Sequence, residues 1–216
     1  MEYVRDETYS CGALLIFDEI TIGWRLYFGG AHLRLGVFPD IAVFAKALGN
    51  GFPIGAIIGT KEAMYEAHTS FISSTYWTES IGPVAAIATL KKMKTTNVPL
   101  YVAKIGSEIM KCWKNLGEKH GLRVKTGGYP CLAHFSFEHN ESEKLRTIYT
   151  GMMLERGFLA GLYVYPSMAH NDKIVKLYSN AIDEVFGEIA MGLHNGSIDK
   201  LLKGRVALSG FTRLTK

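Results

Sequence analysis

Over the first sixty residues the apolar positions fall in short runs, each closed by charged residues or glycine. Ala13-Leu14-Leu15-Ile16-Phe17 is continuously apolar and stops at Asp18-Glu19, the pattern of a strand covered on both faces. Ile41-Ala42-Val43-Phe44-Ala45, stopping at Lys46, predicts a second strand, and Ile54-Gly55-Ala56-Ile57-Ile58, stopping at Gly59, a third. Between the first two, Gly23, Gly29, Gly30, Gly36 and Pro39 interrupt any long helix. An irregular loop with one helical turn is expected there, the kind of connection that shapes a pocket. Thr60 ahead of Lys61-Glu62-Ala63-Met64-Tyr65-Glu66-Ala67 reads as an N-cap and a short helix.

The period then changes. From Ser80, the residues Val84, Ile87, Ala88 and Leu90 recur at helical spacing towards Thr96-Asn97. A second helix is predicted from Leu100 to His120, with Val102, Ile105, Ile109, Trp113 and Leu116 on one face and Gly121 as its stop. Beyond it short strands alternate with helices, over Leu122 to Lys125, Cys131 to Phe137, Ser142 to Arg156 and Asp172 to Met191. This is an α/β chain with a boundary near residue 100. Residues 1–100 favour a mostly parallel sheet whose ligand sites lie at strand ends, and residues 101–216 a connecting helix and a smaller α+β lobe. No internal repeat or low-complexity segment is visible.

Composition narrows the partners. The chain has 216 residues, 48% hydrophobic and 20% charged, in the range of a globular protein with a substantial core. Its net charge of +4 comes from 24 basic and 20 acidic residues that are interspersed, which gives nucleic-acid binding no support. No apolar stretch approaches the roughly 18 residues of a membrane span. The start, Met1-Glu2-Tyr3-Val4-Arg5-Asp6-Glu7, lacks the layout of a signal peptide, so a cytoplasmic location is expected. Cys11, Cys112 and Cys131 are far apart with no C-x-x-C spacing; buried free thiols are expected rather than disulfides or a metal site.

Two polar residues stand at the carboxyl ends of predicted neighbouring strands, Asp18 and Lys46. An amine and a carboxylate so placed suit a pyridoxal cofactor: the lysine forms a Schiff base, and the acid keeps the pyridine nitrogen protonated so that the ring accepts electrons. Taken singly, each is commonplace, since lysines mostly sit in solvent and aspartates often cap helices or loops.

The wider wording is more specific. Leu15-Ile16-Phe17-Asp18-Glu19-Ile20-Thr21-Ile22-Gly23-Trp24-Arg25, then Pro39-Asp40-Ile41, then Phe44-Ala45-Lys46-Ala47-Leu48-Gly49-Asn50-Gly51-Phe52-Pro53-Ile54-Gly55-Ala56, resembles the cofactor region of class III aminotransferases, nearest to glutamate-1-semialdehyde aminomutase-like members. The likeness continues through Ser74-Thr75-Tyr76-Trp77-Thr78-Glu79, Arg156-Gly157-Phe158-Leu159 and Ala169-His170 to Gly210-Phe211-Thr212-Arg213-Leu214. It implies part of a pyridoxal-phosphate-dependent transferase fold of type I, with Lys46 as the catalytic lysine and Asp18 as the partner of the pyridine nitrogen. Ile20 would pack on one ring face, projecting with Asp18 by strand alternation. Thr75 would bind the phosphate across a homodimer interface. Arg25 is a candidate for a substrate carboxylate, while His32 and His170 are read as structural. Glu79 departs from the small or amide residue common in the family.

The implied reaction moves an amino group between an amino donor and a keto or aldehyde acceptor, with pyridoxal 5'-phosphate as cofactor. An intramolecular shift, as in an aminomutase, would use the same residues. By length the chain is about half of a family member. The glycine-rich phosphate loop, the aromatic on the other ring face and the contact to the ring hydroxyl are not in it. A catalytically inert truncated chain, acting at most as an interaction subunit, is therefore the alternative of a different class.

Overall fold

The computed structural model describes residues 1–208 and 210, and the match at Phe211 to Leu214 lies outside them. The chain divides into two compact units, Met1–Tyr101 and Val102–Lys216.

The first unit is built round a sheet in the order β1 (Ile16–Asp18), β2 (Ile41–Phe44), β3 (Ala56–Gly59). Strands β1 and β2 are parallel, with Ile16 opposite Ile41 and Asp18 opposite Val43. Strand β3 runs antiparallel to β2, pairing Ile41 with Gly59 and Phe44 with Ala56. Residues 45–55 are spent on a tight turn, too short a path for the crossover that a parallel neighbour needs. The helices are α1 (Glu2–Ser10), α2 (Ala31–Leu35), α3 (Lys61–Met64) and α4 (Ile81–Thr96). The expected single turn between β1 and β2 is α2. Thr60 caps α3 as predicted, its Oγ1 accepting from the Ala63 N–H at 3.2 Å. At α4 the N-cap position is Ser80, whose side chain makes no capping bond; the Glu79 carboxylate just before it accepts from the N–H groups of Ile81 and Gly82 instead.

One expectation for this sheet is overturned. Leu14 and Ile16 are 54% and 56% exposed while Leu15 and Phe17 are buried, so β1 is covered on one face, not two. Its burial alternates with the period of two that a half-covered strand must show. Leu15, Phe17 and Val37 form one small apolar cluster; Ala42, Phe44, Leu48 and Ala86, with Trp24, Ile54, Ala56 and Leu90, form another. Asp40 ties the start of β2 to the approach to β1. Its Oδ2 accepts from the Leu15 N–H at 2.7 Å and from Arg5 Nη1 at 2.9 Å, and these donors hold its carboxyl below the usual range.

Helix α5 (Val98–His120) leads into the second unit, where β4 (Val124–Gly127), β5 (Ala133–Phe137) and β6 (Tyr163–Val164) form an antiparallel sheet in that order. Helices α6 (Ser142–Glu155) and α7 (Asp172–His194) complete it. Val102, Ile105, Ile109 and Trp113 of α5 are buried, as their spacing predicts. Phe135 lies at the centre, its ring 4.8 Å from Trp113 and 5.2 Å from Tyr149. Beside it the polar ends of three large side chains form a chain: Trp113 Nε1–H donates to the Tyr178 hydroxyl at 3.0 Å, which bonds the Tyr149 hydroxyl at 3.0 Å. Burial drives the pKa of both tyrosines up, so they remain neutral donors and acceptors. Gly106 admits the Pro130 carbonyl oxygen to within 1.7 Å of where a Cβ would stand.

The cysteines correct the sequence reading in part. Cys131 is buried, but Cys112 is half-buried and Cys11, at the end of α1, is exposed.

Candidate active site

Strand β2 delivers Lys46 to the end of the parallel pair, and the backbone then turns sharply. Lys46 has φ +45°, a left-handed conformation that a side chain with a Cβ adopts at a cost of about 1 kcal/mol or more. Such a residue persists only where its surroundings hold it. Here the Leu48 N–H donates to the Ala45 carbonyl at 3.0 Å, the Asn50 N–H to that of Lys46 at 3.2 Å, and the Phe52 N–H to that of Gly49 at 3.1 Å. Gly49 is required by this path, since a Cβ there would stand 2.2 Å from the Phe52 oxygen. The turn and Lys46 line a concavity of about 490 Å³ with Arg25, Ala47, Pro53 and Ile54.

Asp18 ends β1, opposite Val43. Its carboxylate is exposed, and Oδ1 accepts from the Ile20 N–H at 2.9 Å. Because the strand stops at Asp18 and Ile20 lies in the following turn, strand alternation is not what relates the two residues. A side-chain-to-backbone turn does so instead. The segment then coils on itself, with the Gly23 N–H donating to Glu19 and those of Arg25 and Leu26 to Ile22.

Two residues passed over in the sequence organise this loop. Glu19, 1% exposed, accepts from the N–H groups of Ala31 and His32 at 2.8 and 2.9 Å and pairs with His32 Nδ1 at 3.0 Å. His32 is thus structural, as expected. Thr21 is the second: Lys46 Nζ donates to its Oγ1 at 2.6 Å. The acidic pair Asp18-Glu19 was a visible signal for Glu19, one carboxylate facing outward and the next inward. Thr21 had none, because the bend at Lys46 is what brings the amine to it.

Thr75 is not among the residues lining the Lys46 concavity. It lies in a turn on a segment exposed throughout from residue 70 to 81, with Phe71, Tyr76 and Trp77 at 97%, 73% and 67% exposure. Asp18 and Ile20 do not line the concavity either. Arg25 does, while its Nη1 donates to the Thr21 carbonyl at 3.2 Å. His170 accepts from the Ser167 N–H at 3.1 Å, in the second unit.

A primary amine and an exposed carboxylate at the carboxyl ends of adjacent parallel strands are a donor set that fits an aldehyde-bearing, protonatable ring. Residues 1–180 match the family described as aminotransferase class-III, and the chain belongs to that family. Among curated proteins it is 34% identical over 199 residues to the 3-aminobutyryl-CoA aminotransferase of Cloacimonas acidaminovorans, covering 88% of this chain and 47% of that one. It is 31% identical to the glutamate-1-semialdehyde 2,1-aminomutase of Methanocaldococcus jannaschii, covering 86% and 47%. The chain therefore spans about half the length of the curated relatives it matches. The fold is shared with the pyridoxal-phosphate internal aldimine form of the FumI protein of Sphingopyxis sp. MTA144, at a TM-score of 0.83 and 24% identity over 88% of this chain and 46% of that one. A β-phenylalanine aminotransferase from Variovorax paradoxus gives a TM-score of 0.75 at 22% identity, covering 87% and 47%. These neighbours make the chain part of a type I transferase fold.

Proposed function

We propose that this chain carries the lysine-bearing part of a pyridoxal-phosphate-dependent enzyme that moves an amino group from an amino donor to a keto or aldehyde acceptor. The observation that carries this is Lys46, in a left-handed turn at the end of β2, beside a parallel strand that ends in an exposed Asp18. Residues 1–100 would be the C-terminal half of the cofactor-binding large domain, and residues 101–216 the connecting helix and small α+β domain.

When bound, the cofactor supplies an electron sink for the pair of electrons left as a substrate C–H bond breaks. The chain's own residues do the remaining work. Lys46 would hold the cofactor through its amine and, as a free amine, would carry the proton at the substrate carbon. Asp18 would pair with the ring nitrogen and keep it protonated, and Ile20 would supply an apolar face beside it. Thr75, on the exposed aromatic segment 70–81, would reach the phosphate in a second copy of the full-length protein, making the working form a homodimer. A cytoplasmic place of action belongs to the same proposal; among the described residues no helix is long and apolar enough to cross a membrane.

Incubation with pyridoxal phosphate, borohydride reduction and peptide mapping tests the reading. Label on Lys46, absent from Lys46→Ala, is expected; label elsewhere or nowhere overturns it in favour of an inert chain. The likeness to an aminomutase supports intramolecular transfer as the second reading. Turnover of a single amino substrate, with no keto acid present, would select it.

A further inference from the structure

The contact between Lys46 and Thr21 joins two segments far apart in sequence. The Lys46 side chain is exposed and has four methylenes to rotate, yet its Nζ sits 2.6 Å from Thr21 Oγ1, its hydrogen-bond partner among the described residues. Both ends of the contact are fixed from behind. At one end the left-handed backbone of Lys46 is held by the hydrogen bonds of the turn, from the Leu48 N–H to the Ala45 carbonyl and from the Asn50 N–H to that of Lys46. At the other, Thr21 belongs to the coiled segment after β1, and its carbonyl accepts from the Arg25 guanidinium at 3.2 Å. Glu19, buried beneath, ties that segment to the start of α2. A flexible amine held by a prefixed acceptor is restricted to a few orientations at little entropic expense at the moment of reaction.

We propose that Thr21 is a positioning residue for Lys46: its hydroxyl holds the amine whenever that amine is not bonded to the cofactor, so that it is released and recaptured at one place. The proposal deepens the cofactor reading above and rests on it for its use in catalysis. In recapture, the Lys46 nitrogen would add to the cofactor carbon as the substrate-derived nitrogen leaves it, the two lysine hydrogens passing to that nitrogen as it departs as a free amine; on first loading of the aldehyde the same two hydrogens would leave with its oxygen as water. Thr21 takes no part in that exchange of bonds; it sets where the nitrogen starts. Arg25, by bonding the Thr21 carbonyl from the wall of the same concavity, connects a change at that wall to the position of the amine.

The test compares wild type, Thr21→Val and Thr21→Ser. Valine keeps the shape and removes the acceptor, and serine restores the acceptor alone. Without cofactor, acetic anhydride at low dose followed by peptide mass spectrometry reads the Lys46 amine directly. Thr21→Val should be acetylated at Lys46 about threefold faster or more, the scale of one hydrogen bond. Thr21→Ser should match wild type, and the other lysines should be unchanged. With pyridoxal phosphate added, Thr21→Val should form the C=N bond about threefold to tenfold more slowly, with rescue by serine and an unchanged melting temperature. Equal Lys46 acetylation in wild type and Thr21→Val overturns the proposal, as does a valine effect that serine does not rescue. If acetylation responds but wild type takes up no cofactor at Lys46, the functional reading falls while the contact stands.

Discussion

The two units bury their apolar residues to different degrees. In the second, Trp113, Phe135, Tyr149, Phe186, Ile105 and Ile189 are all less than 2% exposed and share one core. In the first, the buried apolar residues other than Ala31 form two small clusters, and Ile57 and Ile58 of β3 and Ile81, Val84 and Ile87 of α4 are each more than half exposed. The unit that bears the candidate chemistry is therefore the one with less packing of its own. Its order depends more on hydrogen bonds and turns, at Asp40, Glu19 and the Lys46 bend, than on volume filled with side chains. Large apolar areas left open on such a unit mark surfaces that suit a covering partner.

The largest effect expected from this contrast is on stability. Phe135→Ala should cost about 3–5 kcal/mol, as removal of a fully buried aromatic does, measured by denaturant melting. Ile57→Ser in β3, 61% exposed, should change stability by less than about 0.5 kcal/mol. A comparable loss at both positions would show that β3 is buried in solution and that the contrast does not hold there. Native-state amide exchange on the whole chain should give the same ordering: α5 and α7 amides open only when the second unit unfolds as a whole, and those of β1, β2 and β3 through smaller local events.

Helix caps sharpen the comparison on a finer scale. Asn171 Oδ1 accepts from the Ile174 N–H at 3.0 Å and starts α7, which supplies Ile182, Val185, Phe186 and Ile189 to the core. Asn171→Ala should cost about 1 kcal/mol. Thr60→Ala removes the same kind of bond from α3, which spans Lys61–Met64 and buries no residue, so its effect on global stability should be a few tenths of a kcal/mol. Equal losses in the two melts would contradict the difference in coupling.

These contrasts also explain what the sequence disclosed. Apolar runs ending in Asp18 and Lys46 were readable because strands bury alternate or consecutive positions and leave polar groups at their ends. The long face of α5 was readable because its period repeats over many turns. The covering of β1 was not, since a run of five apolar residues looks the same whether one face or two is packed. Strand β6, Tyr163–Val164, is too short to show any period. The Thr21 contact depends on a left-handed residue that is not glycine, which no local preference announces.

The smallest effect expected is electrostatic, and each unit has its own carboxylate to report it. In the second, Asp183 accepts from Lys119 at 2.7 Å and pairs with His120 at 2.6 Å, which lowers its pKa from 3.8. In the first, Asp40 is lowered from the same value, chiefly by the Leu15 N–H and then by Arg5. A carboxyl with a depressed folded pKa binds fewer protons folded than unfolded in that range. Its stabilisation is thus complete above the unfolded value and lost as pH falls through the folded one. Partial exposure and salt keep each contribution below about 1 kcal/mol. Asp183→Asn should destabilise the protein near neutral pH, and its difference from wild type should shrink as pH drops below 3.8. Amide exchange in α7 should follow that loss while β1 and β2 do not, and Asp40→Asn should give the reverse. If either variant slows or speeds exchange equally in both sets of amides, the two units unfold together, and the difference in packing between them carries no difference in stability.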